Sequence, residues 1–147
     1  MSKKTSIEIY LNFRKHEPNW DFSLFAISEK LGITPTDTKK VGEWNTPKRR
    51  STFTEWIYST GAIETIDFEM GLEKIVDTFK DKVDTINEIK KELGVETSIC
   101  AVTHVIDGNS PGYSFPVEVM KFAVSIDTFI EIDEYVYGFV ENDLDEY

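Results

Sequence analysis

The chain has 147 residues and is 40% hydrophobic, which is enough apolar material to build a core and excludes a disordered chain. Its net charge of -11, from 16 basic and 27 acidic side chains, disfavours nucleic acid and anionic membranes as partners. One cysteine and two histidines exclude an intramolecular disulfide and argue against a structural zinc site, so we expect no metal and no cofactor.

The start of the chain carries two lysines but no apolar stretch of signal-peptide length, and no segment approaches the length needed to span a membrane. These features predict a cytoplasmic protein of bacterial type. We find no internal repeat and no low-complexity linker, so we expect a single domain over residues 1–147 that ends in an acidic tail over residues 138–147.

The first half of the chain alternates between strand and helix signals. Apolar residues at every second position predict a strand over residues 7–13, and Asp21 is positioned to cap a short helix that ends at Gly32. Two further strands are predicted over residues 40–44 and 52–59. The polar, proline-containing connector between them indicates a hairpin.

The second half contains the strongest periodic signal. An amphipathic helix is predicted over residues 66–93 and is closed by Gly94, because seven apolar side chains recur on one stripe. These side chains are Leu72, Ile75, Val76, Phe79, Val83, Ile86 and Leu93. A strand over residues 97–106, a helix that starts at Pro116 and ends near residue 125, and a strand over residues 129–137 follow.

This order of elements predicts an α+β fold. The first six elements, β-α-β-β-α-β, match the ferredoxin-like split βαβ arrangement, and the last helix and strand form an added αβ unit. We therefore expect a mostly antiparallel sheet, packed on helices and extended by its last strand.

The negative charge is concentrated in the second half of the chain. Residues 1–61 carry ten basic and seven acidic side chains (+3), whereas residues 62–147 carry six basic and twenty acidic ones (-14). Six of the acids lie opposite the apolar stripe of the long helix, and we call them the acidic arc: Glu73, Asp77, Asp81, Asp84, Glu88 and Glu92. The tail adds Asp143, Asp145 and Glu146.

The acidic arc is costly to a helix, because carboxylates four residues apart repel one another. Five such pairs are predicted between Glu69 and Glu92, and together they cost roughly 1–2.5 kcal/mol. Two interpretations stay open. The arc is either a solubilising face or a surface that binds a basic partner, whose association complementary charge would accelerate.

The sequence carries none of the common catalytic or nucleotide-binding motifs. It contains no phosphate-binding loop, dinucleotide fingerprint, nucleophile elbow or zinc-protease motif, so we expect no enzyme of a common class. Cys100 and His104 share a strand face but lie about 13 Å apart, too far for a catalytic dyad. A second hypothesis places a cleft at strand ends, lined by Trp44, Trp56, His104 and Asp133.

Several positions together resemble the bacterial family known as domain of unknown function 4279. They are the turn at residues 31–35, Gly42, Trp56, the helix end at Leu93-Gly94 and the closing segment over residues 130–135. The chain departs from the family in its acidic extension after Gly138. The resemblance implies a small, stand-alone cytoplasmic protein with no assigned activity, similar in size and acidity to immunity proteins that neutralise bacterial toxins.

Two functions from different classes follow. The first is a protein-binding module of the immunity type, whose acidic arc and tail cap a basic toxin, as a monomer or weak homodimer. The alternative is a small-molecule sensor, or an enzyme of unrecognised reaction, that uses the cleft.

Overall fold

A computed structural model describes residues 4–138 of the chain. The strands are β1 (Ser6–Arg14), β2 (Asp37–Lys39), β3 (Trp44–Thr46), β4 (Arg49–Arg50), β5 (Glu55–Ser59), β6 (Ile63–Glu64), β7 (Glu96–Ile106) and β8 (Phe129–Tyr137). The helices are α1 (Leu24–Leu31), α2 (Phe68–Phe79), α3 (Val83–Leu93) and α4 (Val117–Ser125), with a 3-10 turn over Lys80–Lys82 between α2 and α3.

The main sheet has the strand order β2-β5-β1-β7-β8, and β6 pairs with the start of β1. Neighbouring strands are antiparallel except β7 and β8, which are parallel. β2 therefore runs parallel to β1 with β5 between them, and β7 runs parallel to β5 with β1 between them. The α+β class and the mostly antiparallel sheet are confirmed, and α4 with β8 extends the sheet.

The core lies between one face of the sheet and the helices. Ile7, Ile9, Leu11 and Phe13 alternate along β1 and are at most 2% exposed, as the period-two pattern predicted. Trp56 of β5 and Ile99 of β7 lie on the same face and are fully buried. The intervening side chains of these strands point to the opposite face, which we call the open face.

The N-cap of the first helix lies two residues later than predicted. Ser23, not Asp21, is the N-cap, because its side chain accepts a hydrogen bond from the Ala26 N–H. Asp21 instead accepts from the Phe22 N–H and from the Thr54 hydroxyl. The helix ends at Gly32, whose φ of 67° is in the left-handed region, so the predicted stop is confirmed.

The predicted hairpin is only partly present. β2 and β5 do pair antiparallel, but β2 covers Asp37–Lys39 rather than residues 40–44. Trp44 belongs to a separate two-stranded ribbon, β3–β4, which is inserted between them. Its side chain is 61% exposed and lies under the Arg50 guanidinium, 4.6 Å from the ring centroid. Trp44 does lie in a strand, but that strand pairs with β4 and not with β5.

The long helix is interrupted, which corrects the prediction of one continuous helix over residues 66–93. A 3-10 turn advances about 120° per residue against about 100° in an α-helix, so its three residues rotate α3 relative to α2 by about 60°. This rotation brings Ile89 into the core, where it is fully buried, and leaves Val83 only half-buried. Leu72, Ile75, Val76, Phe79 and Ile86 are buried as predicted.

Within residues 4–138, no helix combines the length and the apolar character needed to cross a membrane.

Candidate functional site

The acidic arc lies on the outer surface of α2, the 3-10 turn and α3. All six of its side chains, Glu73, Asp77, Asp81, Asp84, Glu88 and Glu92, are exposed or partly exposed. The 60° rotation turns the acids of α3, together with its buried residues, relative to the acids of α2. The break does separate Asp77 from Asp81, so four of the five predicted repulsive pairs lie within regular α-helix.

Two members of the arc have ion-pair partners among residues 4–138. Lys30 of α1 pairs with Glu92, and this pairing raises the pKa of the lysine. Lys80 Nζ lies 3.4 Å from Asp77 Oδ1. No basic side chain of the described residues forms an ion pair with the other four acids, which are Glu73, Asp81, Asp84 and Glu88. The arc therefore presents unpaired negative charge to solvent.

The tail acids named from the sequence, Asp143, Asp145 and Glu146, lie outside the described residues.

The four residues of the predicted cleft are not brought together. Trp56 is fully buried on the helix-facing side of the sheet, where its indole N–H donates to Ser28 Oγ at 3.0 Å. Its ring contacts Phe13 and Phe79 edge-on, at centroid distances of 5.5 and 6.4 Å. Trp44 lies on the separate β3–β4 ribbon. Trp56 is thus a core residue and does not line a cleft.

His104 and Asp133 lie on the adjacent strands β7 and β8. His104 is paired with Tyr135 and stacks on both Tyr135 and Tyr137, at centroid distances of 5.2 and 5.6 Å. Its Nδ1 also lies 3.1 Å from the Tyr137 hydroxyl. The imidazole is therefore held by aromatic neighbours, and Asp133 is exposed beside Val102 in the strand register.

A buried polar network on the open face was not predicted from the sequence. Asn12 Nδ2 donates to Glu55 Oε2 at 2.6 Å, and Asn12 Oδ1 accepts from the backbone N–H and the hydroxyl of Ser98, at 3.1 and 2.6 Å. All three residues are less than 9% exposed. An asparagine in the middle of a strand is disfavoured by propensity, and this was the one signal that could have revealed the network.

Cys100 and Tyr10 lie side by side on the open face, paired across β7 and β1. Burial raises the pKa of the Cys100 thiol, and Glu131 and Asp133 raise it further. Burial also raises the pKa of the Tyr10 hydroxyl. Both groups are therefore neutral near pH 7, and the thiol is poorly suited to nucleophilic chemistry.

Residues 4–138 contain no group of three or more His, Cys, Asp or Glu side chains placed to hold a metal ion.

Comparison with known proteins identifies the family and nothing beyond it. No curated protein and no solved structure matches the chain significantly. A family model described as Domain of unknown function (DUF4279) matches residues 5–137, which include every described strand and helix. The chain therefore belongs to the DUF4279 family.

Proposed function

We propose that this chain is a protein-binding module that binds a basic partner through the acidic arc. The observation that supports this most directly is the exposure of all six carboxylates along α2, the 3-10 turn and α3, where four have no ion-pair partner among residues 4–138. Unpaired surface carboxylates create a field that steers a basic protein toward the helices and speeds its association.

The specific form we propose is an immunity-type inhibitor that acts in the bacterial cytoplasm and neutralises a basic toxin. Two observations support this form. The second half of the chain has a net charge of -14, and carboxylates four residues apart repel one another within α2 and within α3. A partner with lysines and arginines at matching positions would relieve this repulsion, so binding would stabilise the two helices.

A charge-neutralised variant tests the proposal. Glu73→Gln, Asp84→Asn and Glu88→Gln together remove three arc charges from side chains that are not buried, so the fold should be retained. The matched control removes three exposed charges outside α2 and α3 through Glu17→Gln, Glu43→Gln and Glu64→Gln. Each protein is cross-linked in its native cells at low and high salt, and the recovered proteins are identified.

The expected result is a basic protein that the unsubstituted chain and the control recover at low salt and that the arc variant loses. If that protein is a toxin, cells that express it alone should stop growing. Co-expression with the unsubstituted chain should restore their growth, and co-expression with the arc variant should not. Recovery of the same proteins by all three chains would show that the arc does not bind a partner.

A further inference from the structure

A groove of about 690 Å³ opens on the open face of the sheet, away from the helices and from the acidic arc. β1, β2 and β5 line it, together with residues that follow α1 and β5 in the chain. Its volume falls within the range of about 300–1,000 Å³ that small-molecule sites occupy. The groove therefore has room for an organic molecule.

The charged side chains that line the groove carry a net negative charge. Three carboxylates, Glu8, Asp37 and Glu55, face one ammonium group, that of Lys39. The Ser59 hydroxyl donates to Glu8 Oε2 at 2.6 Å and so holds one of these carboxylates in place. A ligand that enters this space meets hydrogen-bond acceptors and an excess of two negative charges.

Glu55 is the residue that most directly indicates a ligand. Its side chain lines the groove although the residue is only 5% exposed. Asn12 donates to Oε2, but no group among residues 4–138 donates to Oε1. An ionised carboxylate has about four acceptor positions. Among residues 4–138, Oε1 is not one of the buried polar atoms that lack a partner, so it is open to the groove. A donor from a bound molecule would satisfy Oε1.

The nearest basic side chains do not neutralise Glu55. Lys39 on β2 and Arg14 on β1 are its direct cross-strand partners. Their charged groups lie instead over the ring of Phe53, at 5.3 and 4.0 Å from its centroid, and neither forms an ion pair with Glu55. Glu55 therefore has no ion-pair partner among residues 4–138.

We propose that this groove binds a small free organic cation with an amine or guanidine head group. The N–H donors of the head group hydrogen-bond to Glu55, and the carboxylates of Glu8 and Asp37 add to the attraction. Charge-assisted hydrogen bonds of this kind are about twice as strong as neutral ones. This site is separate from the acidic arc, so it does not depend on the proposed protein partner.

An NMR titration of the full chain with agmatine, which carries one amine and one guanidine, tests the proposal. The expected result is saturable shifts of backbone amide signals around the groove, with no comparable shifts from the uncharged 1,4-butanediol. Glu55→Gln keeps the shape of the side chain and removes its charge, and it should weaken agmatine binding about tenfold or more.

Asp133→Asn is the matched control, because Asp133 is an exposed acid on the edge strand β8 of the same sheet but does not line the groove. It should leave the affinity for agmatine unchanged. Should Glu55→Gln fail to fold, Asp37→Asn and Glu8→Gln test the same site, and each should weaken binding severalfold. Three outcomes would each overturn the proposal. The signal shifts could spread over the acidic arc without saturating, the groove variants could bind agmatine with unchanged affinity, or Asp133→Asn could lose as much affinity as they do.

Discussion

The indole Nε1 of Trp56 on β5 donates a hydrogen bond to Ser28 Oγ on α1, at 3.0 Å. This contact ties the first helix to the sheet at a fully buried side chain. We expect Trp56→Phe to lower the free energy of unfolding by about 1–3 kcal/mol, because it leaves a cavity and removes the donor. Urea denaturation followed by far-UV circular dichroism measures this change.

The hydrogen bond itself is isolated by a double-mutant cycle with Ser28→Ala. The single variant Ser28→Ala leaves the indole N–H without its acceptor and should cost about 1 kcal/mol or more. The loss in the double variant should be smaller than the two single losses added together. Strict additivity would show that the hydrogen bond contributes nothing beyond packing.

Gly94 and Gly32 form a matched pair, because both end helices in the left-handed region, with φ values of 65° and 67°. A Cβ at Gly94 would lie 3.0 Å from the ring of Trp20, whereas a Cβ at Gly32 would meet nothing within 4 Å. Gly32→Ala should cost about 1–2 kcal/mol from the backbone alone, and Gly94→Ala should cost more. Equal losses in thermal or urea denaturation would show that Trp20 moves aside freely.

The ionisation of Asp21 should make the free energy of unfolding depend on pH in the acid range. Lys40 Nζ, at 2.8 Å, and the Thr54 hydroxyl, at 2.5 Å, lower the pKa of this carboxyl below its usual 3.8. The unfolded chain then binds more protons than the folded one between the two pKa values, so stability rises with pH there. The contribution is present above about pH 4 and is lost as the pH falls through the folded-state pKa.

Asp21→Asn should therefore flatten the loss of stability at low pH. Urea midpoints measured from about pH 2 to about pH 7 give the comparison. The same acid dependence in Asp21→Asn as in the unsubstituted chain would contradict the assignment.

Cys100 should react slowly with thiol reagents in the folded protein. The residue is 1% exposed, and burial raises the pKa of its thiol, so little thiolate forms near pH 8. We expect Ellman's reagent to label it at a normal rate in concentrated urea and many times more slowly without urea. Rapid labelling of the folded chain would show that the open face gives access to the sulfur.

The sequence predicted elements well where one physical pattern dominated. Alternation along residues 7–13 and the glycine stops at Gly32 and Gly94 were both confirmed. The break after Phe79 escaped prediction, because neither glycine nor proline marks it and its residues suit an α-helix. β2 was misplaced because the chain forms two short strands in this region, β2 and β3, and only strand pairing shows that β2 is the partner of β5.

The acidic arc could be predicted because five of its six acids lie on the helices α2 and α3, and within each helix spacing alone decides which side chains are neighbours. The groove and the buried polar network beside it could not be predicted. Glu55, Asn12 and Ser98 are far apart in the chain and meet only through the pairing of β1 with β5 and β7. Periodicity assigns each residue to a face, but strand register decides which residues become neighbours.

The central position of β1 has a consequence for synthesis of the chain. β1 is made first, yet its two long partners are β5 and β7, and β7 follows it by roughly ninety residues. At about 5–20 residues per second, a ribosome needs several seconds or more to deliver β7. During this interval the apolar side chains of β1 have no complete sheet to join, so the nascent chain should depend on early packing of α1 and α2, or on a chaperone, to avoid aggregation.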